Sequence, residues 1–277
     1  MIRTTPAQRA AIRQQLSPDI CWRNEDIWTC LVADILDTAT DQRPYLAMLC
    51  GGSVACTQKL EPWFEAQPMA PRKGTPLVDN ESNTKIDLAI GAIRQRGKSG
   101  SGIEFAISAP QPWVCFVEGK GPIRDCDFMT EYDLLRNQLE RDIESLLYFQ
   151  YPGRFPDRLF FTLLTPRRFK ENPRSRLYGY RMTEYLANRN LIIADIERCT
   201  IPRRDDGNHE YPLLRGRLDR LTLNWVAYED ILESALGVSS IDMLDPGQIP
   251  GLTDWFQRLA TALAGGEHTA VAETQGA

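Results

Sequence analysis

An acidic residue and a lysine stand two positions apart in the segment Val117-Glu118-Gly119-Lys120, near the middle of the chain. The apolar run before them predicts a β-strand over residues 113–119, and the alternation of side chains along a strand places Glu118 and Lys120 on one side. A carboxylate there can bind a hard cation such as Mg²⁺, which prefers oxygen ligands. The ammonium can hold or help to deprotonate an attacking water and offset the charge of a phosphate. This pairing of residue types is typical of a hydrolytic site.

A second carboxylate is expected nearby, because a single one binds such a cation weakly. Asp87 supplies it, since the alternation of residue types predicts a strand over residues 84–90. We expect this strand to lie beside the strand of Glu118, with Asp87 on the face opposite its apolar residues. That apolar face is expected to carry Ile86, Leu88 and Ile90.

These two strands resemble the PD-(D/E)XK, or restriction-endonuclease-like, nuclease superfamily, in which an Asp strand and a Glu-x-Lys strand precede a helix. Here the helix contains Asn137-Gln138-Leu139. The resemblance covers about residues 20–165 and implies an α/β fold with a restriction-endonuclease-like core, a mixed central β-sheet flanked by helices. Ile86 stands where the motif name has proline, which is a frequent variation. Asp142 stands near the position where one subfamily carries tyrosine, so no subfamily is assigned.

The resemblance also implies roles for the matching residues. In that superfamily the Asp and the Glu bind Mg²⁺ or Mn²⁺ and the lysine assists the nucleophilic water. These roles fall on Asp87, Glu118 and Lys120, and the carbonyl of Gly119 is a further candidate ligand. The alternative for Glu118 and Lys120 is an exposed ion pair at a strand end.

Two further residues enter the site through the resemblance. Gln138 is similar to a glutamine on the following helix that points back to the site in several subfamilies; a partly buried amide whose hydrogen bonds are satisfied is an equal alternative. Glu25 looks like the acidic residue that many members place on the first core helix, although first-turn acids also interact favourably with the helix dipole. Glu104, in the long connection between the two strands, is a rival to Asp87.

The function that the resemblance implies is a Mg²⁺- or Mn²⁺-dependent nuclease, a hydrolase of phosphodiester bonds that acts on nucleic acid, with DNA favoured over RNA. Many stand-alone members of the superfamily serve prokaryotic defence against phage or mobile DNA, so the resemblance also implies a defence role. In such a role the chain would act alone, as a homo-oligomer or with a partner subunit. One alternative is a catalytically inactive nuclease-fold subunit that binds nucleic acid or acts as a scaffold, although the intact Asp, Glu and Lys argue against it. Another is an unrelated α/β interaction protein with an accidental motif.

Sequence patterns also predict the elements that must position these residues. One helix begins near Asn24, whose side chain can cap it, and an amphipathic helix is predicted over 131–149. The apolar run 158–165 is typical of a buried central strand, and a strand over 103–108 is predicted to pair back on the Asp87 strand. Further predictions are helices over 5–16, 45–50, 178–189, 229–236 and 252–263, a strand over 221–226, and either a strand or the end of a helix over 191–196.

These elements fit one nuclease-like domain over residues 1–264. Its core is expected over about 20–165, and residues 166–264 are expected to add a C-terminal elaboration rich in helices. Residues 265–277 are predicted to be a disordered tail, since they are small and polar.

The composition limits the classes of protein to consider. Hydrophobic residues make up 43% and charged residues 25% of the 277 residues, as in soluble globular proteins. The apolar runs are too short to cross a bilayer and the first residues lack a signal-peptide pattern, so we expect a cytoplasmic protein without a membrane partner. Seven scattered cysteines without a CxxC pair are expected to be reduced core thiols. The only two histidines lie far apart, which argues against zinc and against a histidine-activated nucleophile.

Positive charge is concentrated between residues 154 and 220, although the whole chain has a net charge of −5. The stretch from Arg167 to Arg181 has Phe169, Tyr178 and Tyr180 among its arginines, and such a mixture can follow a phosphate backbone. A solvated, salt-bridged face is an equal alternative. The net acidity indicates that another subunit helps to hold nucleic acid.

Overall fold

The described part of the chain forms seven β-strands in one sheet, with helices packed on both faces. In this computed structural model the described residues are 2–16, 23–73, 84–98, 100–109, 112–123, 125–126, 136–204, 207, 209–243, 245, 247, 249 and 251–265. The strands are β1 (Trp63–Pro68), β2 (Ile86–Gly91), β3 (Ile93–Gln95), β4 (Gly102–Phe105), β5 (Trp113–Gly119), β6 (Arg158–Thr165) and β7 (Leu221–Ala227). The helices are α1 (Pro6–Gln15), α2 (Glu25–Thr38), α3 (Arg43–Cys50), α4 (Gln138–Tyr148), α5 (Arg167–Glu171), α6 (Leu177–Ala187), α7 (Asn190–Arg198), α8 (Leu214–Leu218), α9 (Tyr228–Leu236) and α10 (Leu252–Gly265).

The strand order is β3-β4-β1-β2-β5-β6-β7. β2 is antiparallel to both of its neighbours, β1 and β5, whereas β5, β6 and β7 run parallel. The chain therefore passes from β5 through α4 to the parallel strand β6, as a parallel pair requires a crossover connection. The α/β class and the mixed central sheet flanked by helices are confirmed.

Two hydrophobic clusters lie on opposite sides of the sheet. The first contains apolar residues of α2, α3, α9 and α10 together with Leu88, Cys115 and Val117 of the sheet. The second contains apolar residues of α4, α6 and α7 together with Val114 and Phe116. Alternate residues of β5 thus face different helical layers, which explains its continuous apolar run. The described cysteines are free thiols, and all but Cys56 are buried, as expected for core thiols.

The prediction that residues 103–108 pair back on the Asp87 strand is wrong. β4 pairs with β3 in antiparallel and with β1 in parallel fashion. The reason lies in β2, whose two hydrogen-bonding edges are already occupied by β1 and β5. The returning chain therefore adds to the outer edge of β1 instead.

Two predicted helical segments also need correction. Arg136 and Asn137 lie before α4 rather than within it, and the predicted residues 131–135 lie outside the described residues. Asn137 is extended, and its side chain accepts the N–H of Glu140, so it caps the helix and sets its start. Residues 191–196 belong to the separate helix α7, because the chain leaves the helical conformation at Asn188.

The apolar face predicted for β2 is not a single face. Leu88 and Ile90 pack in the cluster under α2, whereas Ile86 packs in the cluster on the other side. The alternation breaks at Asp87, which lies opposite Glu65 of β1, and Glu65 has a left-handed backbone with φ 45°. Irregularities of this kind redirect side chains and occur next to functional sites.

None of the helices in the described ranges has the length and the apolar character needed to span a membrane. The predicted tail lies outside the described residues, except for Gly265 at the end of α10.

Arg167, the first residue of the arginine-rich stretch, is engaged in an ion-pair cluster. Its guanidinium donates to both carboxylate oxygens of Glu233 at 2.8 Å and to Asp230 at 2.9 Å, which ties α5 to α9. Arg181 likewise lies 3.0 Å from Glu184. These two arginines fit the salt-bridged alternative rather than a phosphate contact.

The Arg167 cluster predicts a pH-dependent contribution to stability. Hydrogen bonds from Arg167 hold the pKa of Glu233 below its ordinary value, against the opposing effect of burial. A carboxyl whose pKa is depressed by folding stabilises the fold above its unfolded pKa, and this contribution is lost as the pH falls through the folded pKa. We expect Arg167→Met to lower the free energy of unfolding by at most about 1 kcal/mol near neutral pH, because both side chains retain contact with water.

Urea titrations followed by circular dichroism can check this expectation. The difference between wild type and Arg167→Met should be present above about pH 5 and should become smaller at acidic pH, as Glu233 is protonated. A difference of equal size at both pH values would mean that Arg167 stabilises the fold by packing rather than by charge.

Candidate active site

Glu118 and Lys120 form a buried ion pair at the carboxyl end of β5. The Nζ atom of Lys120 lies 2.7 Å from Oε1 of Glu118, and the two side chains are 2% and 1% exposed. The exposed ion pair that was the alternative interpretation is therefore excluded for this pair. Because taking two charges out of water carries a large desolvation penalty, a buried pair of this kind is weak evidence for stability. A functional role explains the burial of the Glu118–Lys120 pair better than a contribution to stability does.

Asp87 lies against the same strand end. Its Oδ2 atom accepts the backbone N–H of Gly119 at 2.7 Å, as the predicted adjacency of the two strands requires. Burial raises the pKa of Asp87 well above its ordinary value, and the negative charge of Glu118 raises it further. Asp87 is thus brought together with Glu118, while its carboxylate and that of Glu118 repel each other.

Glu104, the rival to Asp87, lies elsewhere. It belongs to β4 and pairs with Arg94 of β3 at 2.8 Å. The strands β1 and β2 separate β4 from β5 in the sheet, so Glu104 is not part of this group. A variant of Glu104 is for that reason a suitable control for variants of the site.

Gln138, the first residue of α4, contacts the site directly. Its Nε2 atom donates to Oε1 of Glu118 at 2.5 Å, so this oxygen accepts from both Gln138 and Lys120. The cap formed by Asn137 starts the helix at this residue and thereby sets the direction of its side chain. This contact brings Gln138 to the site, and it also satisfies the amide as the alternative interpretation expects.

Glu25, the first residue of α2, reaches the site from the opposite side. Its Oε1 atom lies 3.6 Å from Nζ of Lys120, and its Oε2 atom accepts the backbone N–H of Gly121 at 3.4 Å. Glu25 also stands in the first turn of α2, where an acid interacts favourably with the helix dipole. The two interpretations of Glu25 are therefore compatible.

The charge state of Lys120 follows from its neighbours. Burial lowers the pKa of Lys120, but the carboxylates of Glu118, Asp87 and Glu25 together raise it above its ordinary value. The ammonium therefore stays protonated at neutral pH. In this arrangement Lys120 places a positive charge among the carboxylates.

Thr29 of α2 and Tyr228 of α9 form the wall behind the strand end. Their hydroxyl oxygens are 3.0 Å apart and share a hydrogen bond. A Cβ atom at position 119 would collide with both hydroxyl groups, so only glycine fits between Glu118 and Lys120. Neither wall residue was predicted, because no spacing in the sequence links residue 228 to residue 119.

Asp142 is a further acid of the group that sequence analysis did not assign to the site. It follows Gln138 by four residues, so both lie on one side of α4. Burial raises the pKa of Asp142 well above its ordinary value, and the charge of Glu118 is the next largest cause. The helical spacing of Gln138 and Asp142 was a signal that could have identified it.

The donors present suit a hard cation. Asp87 and Glu118 supply carboxylate oxygens, and the Glu118 carboxyl is also hydrogen-bonded to the carboxyl of Asp142. Among those residues no group of three or more His, Cys, Asp or Glu side chains is arranged to hold a metal ion. A Mg²⁺ site of one or two carboxylates completed by waters needs no such group. The residues therefore fit Mg²⁺ or Mn²⁺, with Asp87, Glu118 and the Gly119 carbonyl as candidate ligands.

Comparison of the chain with models of known protein families, with curated proteins and with solved structures finds no significant match. The functional proposal therefore depends on the chemistry of this site and on the arrangement of the elements that carry it.

Proposed function

We propose that this chain is a metal-dependent nuclease with a restriction-endonuclease-like core, which hydrolyses phosphodiester bonds of DNA in preference to RNA. The observation that carries the proposal is the buried Glu118–Lys120 ion pair, which lies with Asp87 at one end of the sheet. The order of elements supports it, because the antiparallel pair β2 and β5 carries the acid and the Glu-x-Lys segment, and α4 and the parallel strand β6 follow.

Asp87, Glu118 and the carbonyl of Gly119 would hold the cation. When bound, Mg²⁺ or Mn²⁺ would polarise the scissile phosphate and lower the pKa of a water molecule. Gln138 and Lys120 both bind Oε1 of Glu118 and so hold this carboxylate in one orientation. The ammonium of Lys120 would offset negative charge on the phosphate.

The arginine-rich stretch lies beside the segment that leaves the site. Arg176 donates to the carbonyls of Pro122 at 2.7 Å and Ile123 at 3.2 Å, the second and third residues after Lys120. Arg168 and Arg174 are exposed, and within the described ranges no ion pair involves either of them. These two arginines are the best placed to contact a phosphate backbone, and such contacts would weaken with rising salt.

A cleavage assay tests the proposal. The substrates are supercoiled plasmid, linear duplex DNA, single-stranded DNA and single-stranded RNA, each with Mg²⁺, Mn²⁺ or a chelator. We expect metal-dependent cleavage by the wild type and a loss of at least about a hundredfold in Glu118→Gln, because substitutions even in the outer shell of a metal site cost 10- to 100-fold. Glu104→Gln, a variant of the acid outside the site, should keep wild-type activity.

Two results would contradict the proposal. Equal cleavage by wild type and Glu118→Gln would show that the activity comes from another site or from a contaminant. A wild type that binds nucleic acid without cleaving any of these substrates would instead support the inactive nuclease-fold subunit.

A further inference from the structure

A positively charged and partly apolar surface lies next to the chain segment that leaves the candidate site. It is formed by that segment, by α5 and the turn after it, and by the start of α6, and we call it the arginine–aromatic surface. Its residues are Ile123, Arg168, Phe169, Arg174, Arg176 and Tyr180. Phosphate contacts by two arginines leave the exposed apolar residues of this surface without a role.

Contacts of Arg176 join the parts of this surface. Its guanidinium lies 4.3 Å from the centre of the Phe169 ring and donates to the carbonyls of Pro122 at 2.7 Å and Ile123 at 3.2 Å. The N–H of Tyr180 donates to the carbonyl of Arg176 at 3.1 Å, so Tyr180 lies one helical turn further on the same side of α6. The surface is therefore continuous from the segment that follows β5 to α6.

The turn that carries Arg174 is fixed on α6. A Cβ atom at position 179 would collide with the carbonyl oxygen of Pro173, so only glycine lets the turn pack this closely on the helix. Asp125 ties the segment after β5 to the start of the same helix, because its carboxylate accepts the N–H groups of Leu177 at 2.8 Å and Tyr178 at 3.2 Å. The surface is thus preformed, which lowers the entropic cost of binding a ligand.

The charge of this surface suits a polyanion. Arg168 and Arg174 are exposed and line an open cavity of about 570 Å³ together with Phe169. Glu171 is the one acid on the described lining of that cavity, so positive charge exceeds negative charge there, although the whole chain has a net charge of −5. Guanidinium groups match the geometry of phosphate oxygens, so a phosphate is the anion that we expect.

The apolar residues of the surface distinguish a single strand from a duplex. Tyr180 is 53% exposed and Ile123 is 56% exposed, and Phe169 lines the cavity with the two arginines. A duplex keeps its bases stacked inside and presents its phosphates to a protein surface. Unpaired bases, in contrast, stack on aromatic side chains that accompany a positively charged groove. Exposed apolar side chains among arginines therefore favour an unpaired strand.

The burial of the candidate site favours the same kind of substrate. The side chains of Glu118 and Lys120 are 1% and 2% exposed. A scissile phosphate must come close to them at the end of β5. Duplex DNA is stiff, and bending it toward a recessed site costs free energy, whereas a single strand is narrower and more flexible.

We propose that the arginine–aromatic surface binds single-stranded DNA and guides it to the site at the end of β5, with phosphates on Arg168 and Arg174 and bases against Tyr180 and Ile123. This inference rests on the proposed function, because it names the form of DNA that the same site receives. Duplex DNA and RNA are the alternatives that the experiment must exclude.

Fluorescence anisotropy with labelled oligonucleotides tests the proposal. The probes are single-stranded DNA of about 20 nucleotides, which exceeds the site size of most single-strand binding folds, the duplex of the same sequence, and the corresponding single-stranded RNA. Each is titrated with the full chain in the presence of a chelator, so that binding is measured without cleavage. We expect the wild type to bind the DNA single strand at least about tenfold more tightly than the duplex.

Variants of the surface separate stacking from charge. Tyr180→Ala should weaken binding of the DNA single strand at least about fivefold and leave duplex binding nearly unchanged, because it removes a base–aromatic stack. Arg168→Gln/Arg174→Gln should weaken binding and lower the salt dependence by about 0.7 in slope for each lost phosphate contact.

Two matched controls lie outside the surface. Leu186→Ala changes a residue of α6 that is 47% exposed on a different side of the helix, and Arg215→Gln changes an exposed arginine of α8. Both should bind the DNA single strand like the wild type. All of the substituted side chains are exposed, so the thermal unfolding of every variant should stay close to that of the wild type.

The outcomes separate this inference from the nuclease proposal. A wild type that binds the duplex or the RNA as tightly as the DNA single strand, or that binds none of them, contradicts the inference, as does a Tyr180→Ala variant that binds like the wild type. If the chain nevertheless cleaves DNA in a metal-dependent way, the nuclease proposal stands without this surface. If single-stranded DNA binds through these residues and nothing is cleaved, the surface stands and the nuclease proposal fails.

Discussion

Replacing Lys120 with methionine is expected to lower the free energy of unfolding of the metal-free protein by about 3–5 kcal/mol. The ammonium is 2% exposed and lies 2.7 Å from Oε1 of Glu118 and 3.6 Å from Oε1 of Glu25. Without it, Glu118 loses its counter-charge inside the protein, and an uncompensated buried charge is strongly destabilising. Urea denaturation followed by circular dichroism, with a chelator present, measures the loss.

The control for this prediction is another lysine in an ion pair. Lys85 lies 3.1 Å from Glu65, but its side chain is 47% exposed, so Lys85→Met should change the stability by less than about 1 kcal/mol. The double variant Lys120→Met/Glu118→Gln should recover part of the stability, because it removes the charge left without a partner. If Lys120→Met were no more harmful than Lys85→Met, the ion pair at the end of β5 could not be buried as described.

Replacing Arg72 with methionine is expected to lower the free energy of unfolding by a comparable amount, about 3–5 kcal/mol. The Nε atom of Arg72 lies 3.0 Å from both carboxylate oxygens of Glu144 on α4. Its other nitrogens donate to the carbonyls of Ile196 and Ile201 at 2.6 Å and of Cys199 at 3.3 Å. The variant would leave these buried acceptors without this donor, and each unsatisfied group adds to the loss.

Lys73 offers a control in the next position of the chain. It is exposed, so Lys73→Met should be close to wild type in the same urea titration. Arg72→Lys should fall between the wild type and Arg72→Met, because an ammonium cannot reproduce the planar, multiple hydrogen bonds of a guanidinium. Equal stability of Arg72→Lys and wild type would show that charge alone accounts for the role of Arg72.

Strand periodicity was sufficient to place Glu118, Lys120 and Asp87 together, whereas Glu25 and Gln138 were assigned to the site only through the resemblance. The spacing of Glu118 and Lys120 placed them together at a strand end, and the neighbouring strand brought Asp87 to them. Asn24 caps α2 as predicted, and this cap sets Glu25 at the start of the helix. These features depend on contacts between residues close in sequence or on adjacent strands, which simple patterns encode.

The polar side of α4 could not be interpreted from its pattern. An amphipathic sequence predicts one apolar face and one solvated face, yet Glu140, Asp142 and Glu144 are fully buried. The helices α7 and α8 pack against α4, and Glu140 and Glu144 pair there with Arg136, at 2.9 Å and 2.6 Å. The partners of these buried acids precede the helix or come from distant parts of the chain, so the periodicity of α4 cannot identify these partners.

The break at Asp87 in the alternation of side chains along β2 was also missed because it depends on another part of the chain. The sequence of β2 does not indicate this break, because the unusual left-handed backbone belongs to Glu65 on the partner strand β1. The pairing of β4 with β1 was missed for a related reason, since strand order depends on which edges are already occupied. Strands distant in sequence compete for the same hydrogen-bonding edges, and the outcome depends on the whole sheet.

The position of Tyr228 has a consequence for the order of events on the ribosome. Every acid of the site, together with Lys120, is synthesised well before β7 and Tyr228, yet the hydroxyl of Tyr228 closes the wall behind Gly119 and β7 completes the sheet beside β6. At about 5–20 residues per second, a nascent chain carries the reactive residues for seconds before their wall exists. The wall behind the candidate site is therefore completed only after β7 and Tyr228 have been synthesised, long after the residues that it encloses.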